Sequence, residues 1–309
     1  MSRSPDARAG MPALSLRGLS RDFGGVSAVD ALTLDVAPGE LFGIVGPDGA
    51  GKTTTLRMLA GVLPPTRGDA LVLGASVARD PESVKPHIAY MAQRFGLYAD
   101  LTVRENILFY ADLYRVPRAE RASRMERLYA FSRLGEFEHR LAGKLSGGMK
   151  QKLSLCCALV HHPAILLLDE PTFGVDPISR RDLWLILHQM VADGMTMVVT
   201  TSYLDEAERC DRVALLHEGR VLALDAPAVL QARLAGRLLS VRSPDARRLR
   251  DVLRARPDVA RAELFGDSVH VTMASGPGDG LADALDGMGD VEEVAPSLED
   301  VFIDLVSAQ

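Results

Sequence analysis

Gly46-Pro47-Asp48-Gly49-Ala50-Gly51-Lys52-Thr53-Thr54 has the composition of a phosphate-binding loop. The backbone N–H groups from Asp48 to Thr54 can turn inward toward phosphate oxygens, and Gly49 and Gly51 permit that shape and a close approach. A helix beginning at Lys52 aims its positive end at the same place. Lys52 can reach the β- and γ-phosphates of a nucleotide, and the Thr53 hydroxyl can ligate Mg²⁺. A second glycine-rich stretch is Leu145-Ser146-Gly147-Gly148-Met149-Lys150-Gln151. It offers the Ser146 hydroxyl, the N–H groups of Gly147 and Gly148 and another helix start to a phosphate. A third stretch, Ile165-Leu166-Leu167-Leu168, is apolar and runs into Asp169-Glu170-Pro171. Asp169 suits a Mg²⁺ shell, and Glu170 suits activation of an attacking water. Alone, each has a plain reading: a glycine-rich turn, or solvated carboxylates at a strand end. Together, in this order, they supply a phosphate cradle, a metal ligand and a base.

These groups need elements to hold them. Leu41-Phe42-Gly43-Ile44-Val45 reads as a buried strand that delivers the first loop, and Lys52 to Ala60 reads as the helix behind it. Gly61 is placed to stop that helix, with Pro64-Pro65 beyond. Upstream, Leu14 to Leu34 alternates like strands, with turn signals at Gly18, Gly24 and Gly25. Short strands are expected at Gly68–Leu73 and Ile88–Met91. Thr102–Tyr114 and Arg118–Leu134 carry helical periodicity, forming a helical insert over about residues 94–145. A helix from Gly147 to about His161 precedes the acidic strand. Further on come a helix (Ile178–Ala192), a strand (Met195–Thr200), a short helix (Leu204–Arg209) and a strand (Val213–Leu216).

A second unit is expected over residues 236–309. Its strands (Leu238–Val241, Val259–Leu264, Ser268–Met273, Val291–Val294) and helices (Asp245–Ala255, Gly280–Leu285) run βαββαβ, a ferredoxin-like order. Gly266-Asp267 makes the central hairpin turn. Leu298–Val306 is read as a closing helix.

Composition narrows the function classes. The chain has 309 residues, enough for two domains, with 47% apolar residues and a formal charge of −6. No basic run appears, which argues against nucleic acid as a partner. No run of about 18 apolar residues exists, so no helical membrane span is expected. Residues 1–12 read as a loose leader without a signal-peptide core. Cys156, Cys157 and Cys210 lack metal-ligand spacing and read as small buried hydrophobes.

Leu145 to Gln151 resembles the signature sequence of ABC transporter ATP-binding subunits almost letter for letter. The resemblance covers roughly Leu14 to Leu230. It implies an α/β P-loop NTPase fold, an ABC ATPase domain (13–235) with a helical subdomain, followed by the small α+β unit. It further implies ATP and Mg²⁺, and hydrolysis at the seam of a dimer in which one subunit's signature closes over ATP held by the other. Gln93, after Tyr90-Met91-Ala92, matches the family's Q-loop, which contacts Mg²⁺ and faces the transmembrane partner. Phe173-Gly174-Val175-Asp176 matches the D-loop, with Asp176 at the dimer seam. Phe23 stands where the family places an adenine-stacking aromatic. A lone Phe on a strand is as readily a core residue.

Arg94-Phe95-Gly96-Leu97-Tyr98 and Pro296-Ser297-Leu298-Glu299-Asp300-Val301-Phe302 are similar to the drug-, lipid- and polysaccharide-export class, of the daunorubicin-resistance type. That implies a peripheral subunit on the cytoplasmic face of the cell membrane, paired with an integral membrane permease. The groove facing the permease is expected near Phe95, Tyr98 and Leu101. An importer subunit is the nearer alternative, and a soluble ABC ATPase acting on nucleic acid or ribosomes the more distant one. One departure stands out. Ser202, in Thr200-Thr201-Ser202-Tyr203, occupies the position of the family's γ-phosphate histidine. Serine is shorter and cannot be cationic. Loss of one such contact costs on the order of 10²–10³ in rate. Slow hydrolysis at this chain's own site is therefore expected, with Ser202 and a water standing in for the histidine as the alternative, and pairing with a second, different ABC ATPase is weighed against a homodimer.

Overall fold

Apolar runs buried on both faces form the centre of the fold. The computed structural model describes residues 11–93, 96–234, 237–274, 280–281, 285 and 289–307. Residues 1–10 of the expected leader, Arg94, Phe95, Gly236 and most of the helix expected over Gly280–Leu285 lie outside the described residues.

The chain opens with β1 (Leu14–Phe23), β2 (Val26–Val36), β3 (Leu41–Val45) and α1 (Lys52–Leu59). Next come β4 (Arg67–Val72), β5 (Ala75–Ser76), α2 (Pro81–Val84) and β6 (Ile88–Met91). α3 (Val103–Leu113) and α4 (Arg118–Ser132) form the helical insert, and α5 (Gly147–Leu159) follows. Then come β7 (Ile165–Asp169), α6 (Pro177–Ala192), β8 (Thr196–Thr201) and α7 (Leu204–Ala207). β9 (Arg212–His217), β10 (Arg220–Asp225) and α8 (Pro227–Ala232) complete the first part.

Two sheets build this part. One is antiparallel, in the order β2-β1-β4-β5. The other has the order β10-β9-β3-β8-β7-β6, parallel except at β10. Along β3, Leu41 and Val45 face one core while Phe42 and Ile44 face the other. In β7, Leu166 and Leu168 face the first core, and Ile165 and Leu167 the second. A parallel strand covered on both sides must be apolar at every position, which is why these segments read as unbroken hydrophobic runs.

Gly18 is not a turn. It sits inside β1 at φ 57°, where the register with β2 shifts between Leu16 and Leu19. Only Gly24 and Gly25 form the reversal between β1 and β2. β10 and α8 are additional to the sequence expectation. β10 follows a tight reversal at Glu218-Gly219, both at positive φ, and among the described residues pairs only with β9.

The remaining strands are β11 (Leu238–Arg242), β12 (Val259–Phe265), β13 (Ser268–Met273) and β14 (Asp290–Glu293), with α9 (Ala246–Arg254) after β11. Their antiparallel sheet has the order β12-β13-β11-β14. β13 lies between β11 and β12, so the α9 crossover skips one strand, as a split βαβ unit requires. Val241, Leu249, Leu253 and Val271 form a separate small core. The last helix, α10 (Leu298–Ser307), leaves that core. Its apolar stripe Leu298, Val301, Phe302 and Leu305 packs into the first core beside α7 and α8.

Candidate functional site

The end of β3, the start of α1 and the ends of β7 and β8 meet at one cleft of about 360 Å³. It is lined by Phe23, Asp48, Gly49, Ala50, Gly51, Lys52, Thr53, Thr54, Gln93 and Glu170. A larger apolar cavity, about 610 Å³, lies by Met11, Phe131 and Met190 and holds none of these groups.

Backbone shape comes first. Gly51 has φ 100°, and a Cβ there would stand 2.4 Å from Ala28 O. Gly46 is not in a left-handed conformation, yet a Cβ on it would meet Leu216 O at 2.2 Å. The loop is thus pressed against β9. Gly46→Ala is expected to lower stability by about 1–3 kcal/mol, as overpacking against fixed backbone does. A thermal melt of the variant checks this, and an unchanged midpoint would refute the close approach.

Six side chains converge. Lys52 is buried, and its Nζ donates to Gly46 O (2.7 Å), Pro47 O (3.1 Å) and Ser202 Oγ (2.9 Å). It also pairs with Glu170 Oε1 at 3.2 Å. Thr53 Oγ1 donates to Asp169 Oδ1 at 2.9 Å. Gln93 Nε2 donates to Glu170 Oε2 at 2.9 Å, and Ser202 Oγ donates to Glu170 Oε1 at 2.7 Å. Both oxygens of Glu170 are therefore engaged. Glu170 itself stands just past the end of β7 at φ 47°, a left-handed conformation that costs a non-glycine residue about 1–2 kcal/mol. Its N–H is held by Thr200 through Oγ1 (3.0 Å) and the backbone carbonyl (3.2 Å).

Two residues to which the sequence reading gave no role support Asp169. Thr200 Oγ1 donates to Oδ1 at 2.9 Å, and the Tyr90 hydroxyl donates to Oδ2 at 3.1 Å. Burial and the Asp169 charge push the Tyr90 phenol up to about 12, so it stays a donor at neutral pH. Tyr90 adjoins the Gln93 motif in sequence, but only the β6–β7 pairing, which sets it beside Leu167, brings its hydroxyl within reach of the carboxylate two residues on.

Phe23 is not a core residue. It is 45% exposed at the end of β1, lines the cleft, and carries the Arg21 guanidinium 4.6 Å above its ring. Asp48 approaches Ser202 at 3.4 Å.

Ser146, Gly147, Gly148 and Asp176 do not line this cleft. Ser146 caps α5 by accepting the Met149 N–H, and Asp176 caps α6 by accepting the Ser179 N–H at 2.9 Å. Hydrogen bonds from Ser179, the backbone N–H first, hold the exposed Asp176 carboxyl below the usual range. The two helix starts touch: a Cβ on Gly148 would lie 2.3 Å from Ser179 Oγ. The Ser146 and Asp176 segments thus form one surface, separate from the cleft. Gln93 also lines a second groove, of about 310 Å³, with Leu97, Ala99, Lys150 and Gln151. Tyr98 and Leu101 are not on it; Tyr98 packs against Phe109 with the rings tilted by 60° and their centres 4.5 Å apart.

The cysteines are buried, and burial pushes the Cys156 and Cys210 thiols up to about 12 and Cys157 well above its usual value. They are inert packing. Among the described residues no helix is long and apolar enough to cross a membrane, and no three His, Cys, Asp or Glu side chains cluster as metal ligands. The oxygen pair Thr53–Asp169 suits a hard cation that also takes phosphate oxygens.

Residues 29–173 match the family described as ABC transporter. The chain is 44% identical over 299 residues to the probable multidrug ABC transporter ATP-binding protein YbhF of Escherichia coli (strain K12), covering 95% of this chain and 52% of that protein. It thus spans about half the length of that relative. It is 38% identical over 259 residues to the Nod factor export ATP-binding protein I of Paraburkholderia xenovorans (strain LB400), covering 83% of this chain and 84% of the relative. A solved structure of an ATP-binding subunit of an ABC transporter superposes with a TM-score of 0.64 at 31% identity, covering 72% of this chain and 92% of that one. With the Gly46–Thr54 loop, the strand into Asp169-Glu170 and the helix from Gly147 all formed, the chain belongs to the ABC transporter family of ATP-binding proteins.

Proposed function

We propose that this chain binds ATP with Mg²⁺ and hydrolyses it as the energy-coupling subunit of an exporter. The observation that carries the reading is the convergence of Lys52, Thr53, Asp169 and Glu170 on one cleft. Thr53 and Asp169 would hold Mg²⁺, which supplies charge neutralisation at the phosphates. An incoming γ-phosphate competes with Glu170 for Lys52. Once Lys52 turns to phosphate oxygens, Glu170 loses its cation and becomes free to accept a proton from the attacking water. Gln93, bonded to Glu170, is placed to orient that water, and Phe23 offers a face for the base.

Ser146, Gly147, Gly148 and Asp176 lie away from the chain's own cleft, which supports a site completed by a second subunit. The partner is either a copy of this chain or a different ABC ATPase. Ser202 favours the latter: its hydroxyl serves Glu170 and Lys52, and it brings no cation to the γ-phosphate. Ser202→His is expected to raise ATP turnover of the purified chain about tenfold or more. Equal steady-state rates would refute a slow own site.

The exporter assignment follows the names of the relatives, multidrug and Nod factor export. The permease would dock near the Gln93 groove on the cytoplasmic face. A tagged pull-down from detergent-solubilised membranes, read by mass spectrometry, tests this. A polytopic membrane protein with a second ABC ATPase supports an asymmetric exporter; the membrane protein with this chain alone supports a homodimer. Soluble partners alone would overturn the transport reading.

A further inference from the structure

Among the described residues Glu206 is the most deeply buried carboxylate that the proposed chemistry leaves unused, with a side chain 1% exposed. Its Oε2 accepts two hydroxyls, Thr172 at 2.7 Å and Thr201 at 3.1 Å. Thr172 lies two residues after Glu170, and Thr201 immediately precedes Ser202. One carboxylate oxygen therefore ties together the two chain exits that carry the reacting groups. Thr201 Oγ1 also receives the Tyr203 N–H at 3.0 Å, which fixes the turn just beyond Ser202.

The other oxygen, Oε1, faces Arg180 Nε at 3.3 Å. Arg180 is in the first turn of α6, its N–H bonded to Asp176 O, and its guanidinium lies over the Tyr203 ring at 4.7 Å. The two atoms attract as charges but are misaligned. Both are buried, and neither has a hydrogen-bond partner. A buried charged donor and acceptor left this way are costly, and a small rotation of the α6 start would satisfy both.

We propose that Glu206 and Arg180 are a positioning pair that sets Glu170 and Ser202 in register with the Asp176 loop. The inference rests on the ATPase reading. Movement of the Asp176 loop, on the surface proposed to meet a second subunit, aligns Arg180 with Glu206. The shift passes through Thr172 to the Glu170 exit and through Thr201 to Ser202. Neither Glu206 nor Arg180 lines the nucleotide cleft, so turnover depends on the pair and ATP affinity does not.

The test uses the full chain with Glu206→Gln, Arg180→Met and the double variant, and with Arg180→Lys as the conservative change. Glu206→Gln keeps the shape and an acceptor for the threonines but removes the charge that Arg180 seeks. Expected are a roughly tenfold fall in kcat for each single variant and a binding constant for a fluorescent ATP analogue within about twofold of wild type. The double variant should be no slower than the slower single one, because coupled residues act as a unit. Arg180→Lys, which keeps the charge, should recover part of the loss. Unchanged kcat in Glu206→Gln overturns the proposal. So does a loss of kcat matched by an equal loss of ATP affinity, or additive losses in the double variant. A wild-type chain that binds ATP without turning it over would instead defeat the ATPase reading itself.

Discussion

Glu170→Gln is expected to lower ATP turnover by about 10²–10⁴, the usual worth of a positioned general base. The same variant should bind ATP at least as tightly as wild type. In this structure Glu170 Oε1 holds Lys52 at 3.2 Å and thereby competes with phosphate for the same ammonium. Removing the carboxylate charge releases Lys52 while leaving Gly46 O, Pro47 O and Ser202 Oγ to place it. Glutamine keeps the size, so the unusual backbone at φ 47° has no new reason to relax. Single-turnover hydrolysis and equilibrium ATP binding measured on one preparation separate the two effects. Residual turnover above about a tenth of wild type would remove Glu170 from the role of base.

Lys52→Met is expected to act in the opposite sense on binding. A charge-assisted hydrogen bond is worth about 1.5–3 kcal/mol, which converts to about 10–150-fold in ATP affinity. The variant also leaves Glu170 without its cation in the ATP-free protein. Breaking a buried ion pair costs about 3–5 kcal/mol when the remaining charge has no other partner. Glu170 keeps donors in Ser202 and Gln93, so the cost should fall toward the lower end. The same titration with a fluorescent ATP analogue checks affinity, and a thermal melt checks stability. Retained affinity would show that the loop N–H groups alone hold the phosphates. Lys52→Met/Glu170→Gln should be more stable than Lys52→Met, since the second change removes the unpaired charge.

Much of the cleft is legible in the sequence because its parts are local. The loop from Gly46 to Thr54 and the run into Asp169-Glu170 encode their backbone through glycine placement and strand-length apolar runs. Each needs only its neighbours. Ser202 was also legible, as a serine at an expected histidine position. What it does was not: whether its hydroxyl reaches Lys52 depends on β3 and β8 being adjacent. Gly18 was misread for a related reason. A glycine at positive φ serves a turn or a register shift equally well, and only the pairing of β1 with β2 decides.

The order of residues alone carries the glycine-rich loop of Gly46–Thr54, the apolar strand into Asp169-Glu170, the helix start at Gly147, the βαββ pattern after residue 237 and the family resemblance. All of these are short-range patterns, set by residue type and period. Tertiary structure alone decided that Tyr90 and Thr200 brace Asp169, that Glu206 joins Thr172, Thr201 and Arg180, and that α10 returns to the first core. The physical reason is sheet order. Parallel strands are joined by crossovers that place each beside partners distant in the chain, and the short buried runs of β3, β7 and β8 do not say which lies beside which.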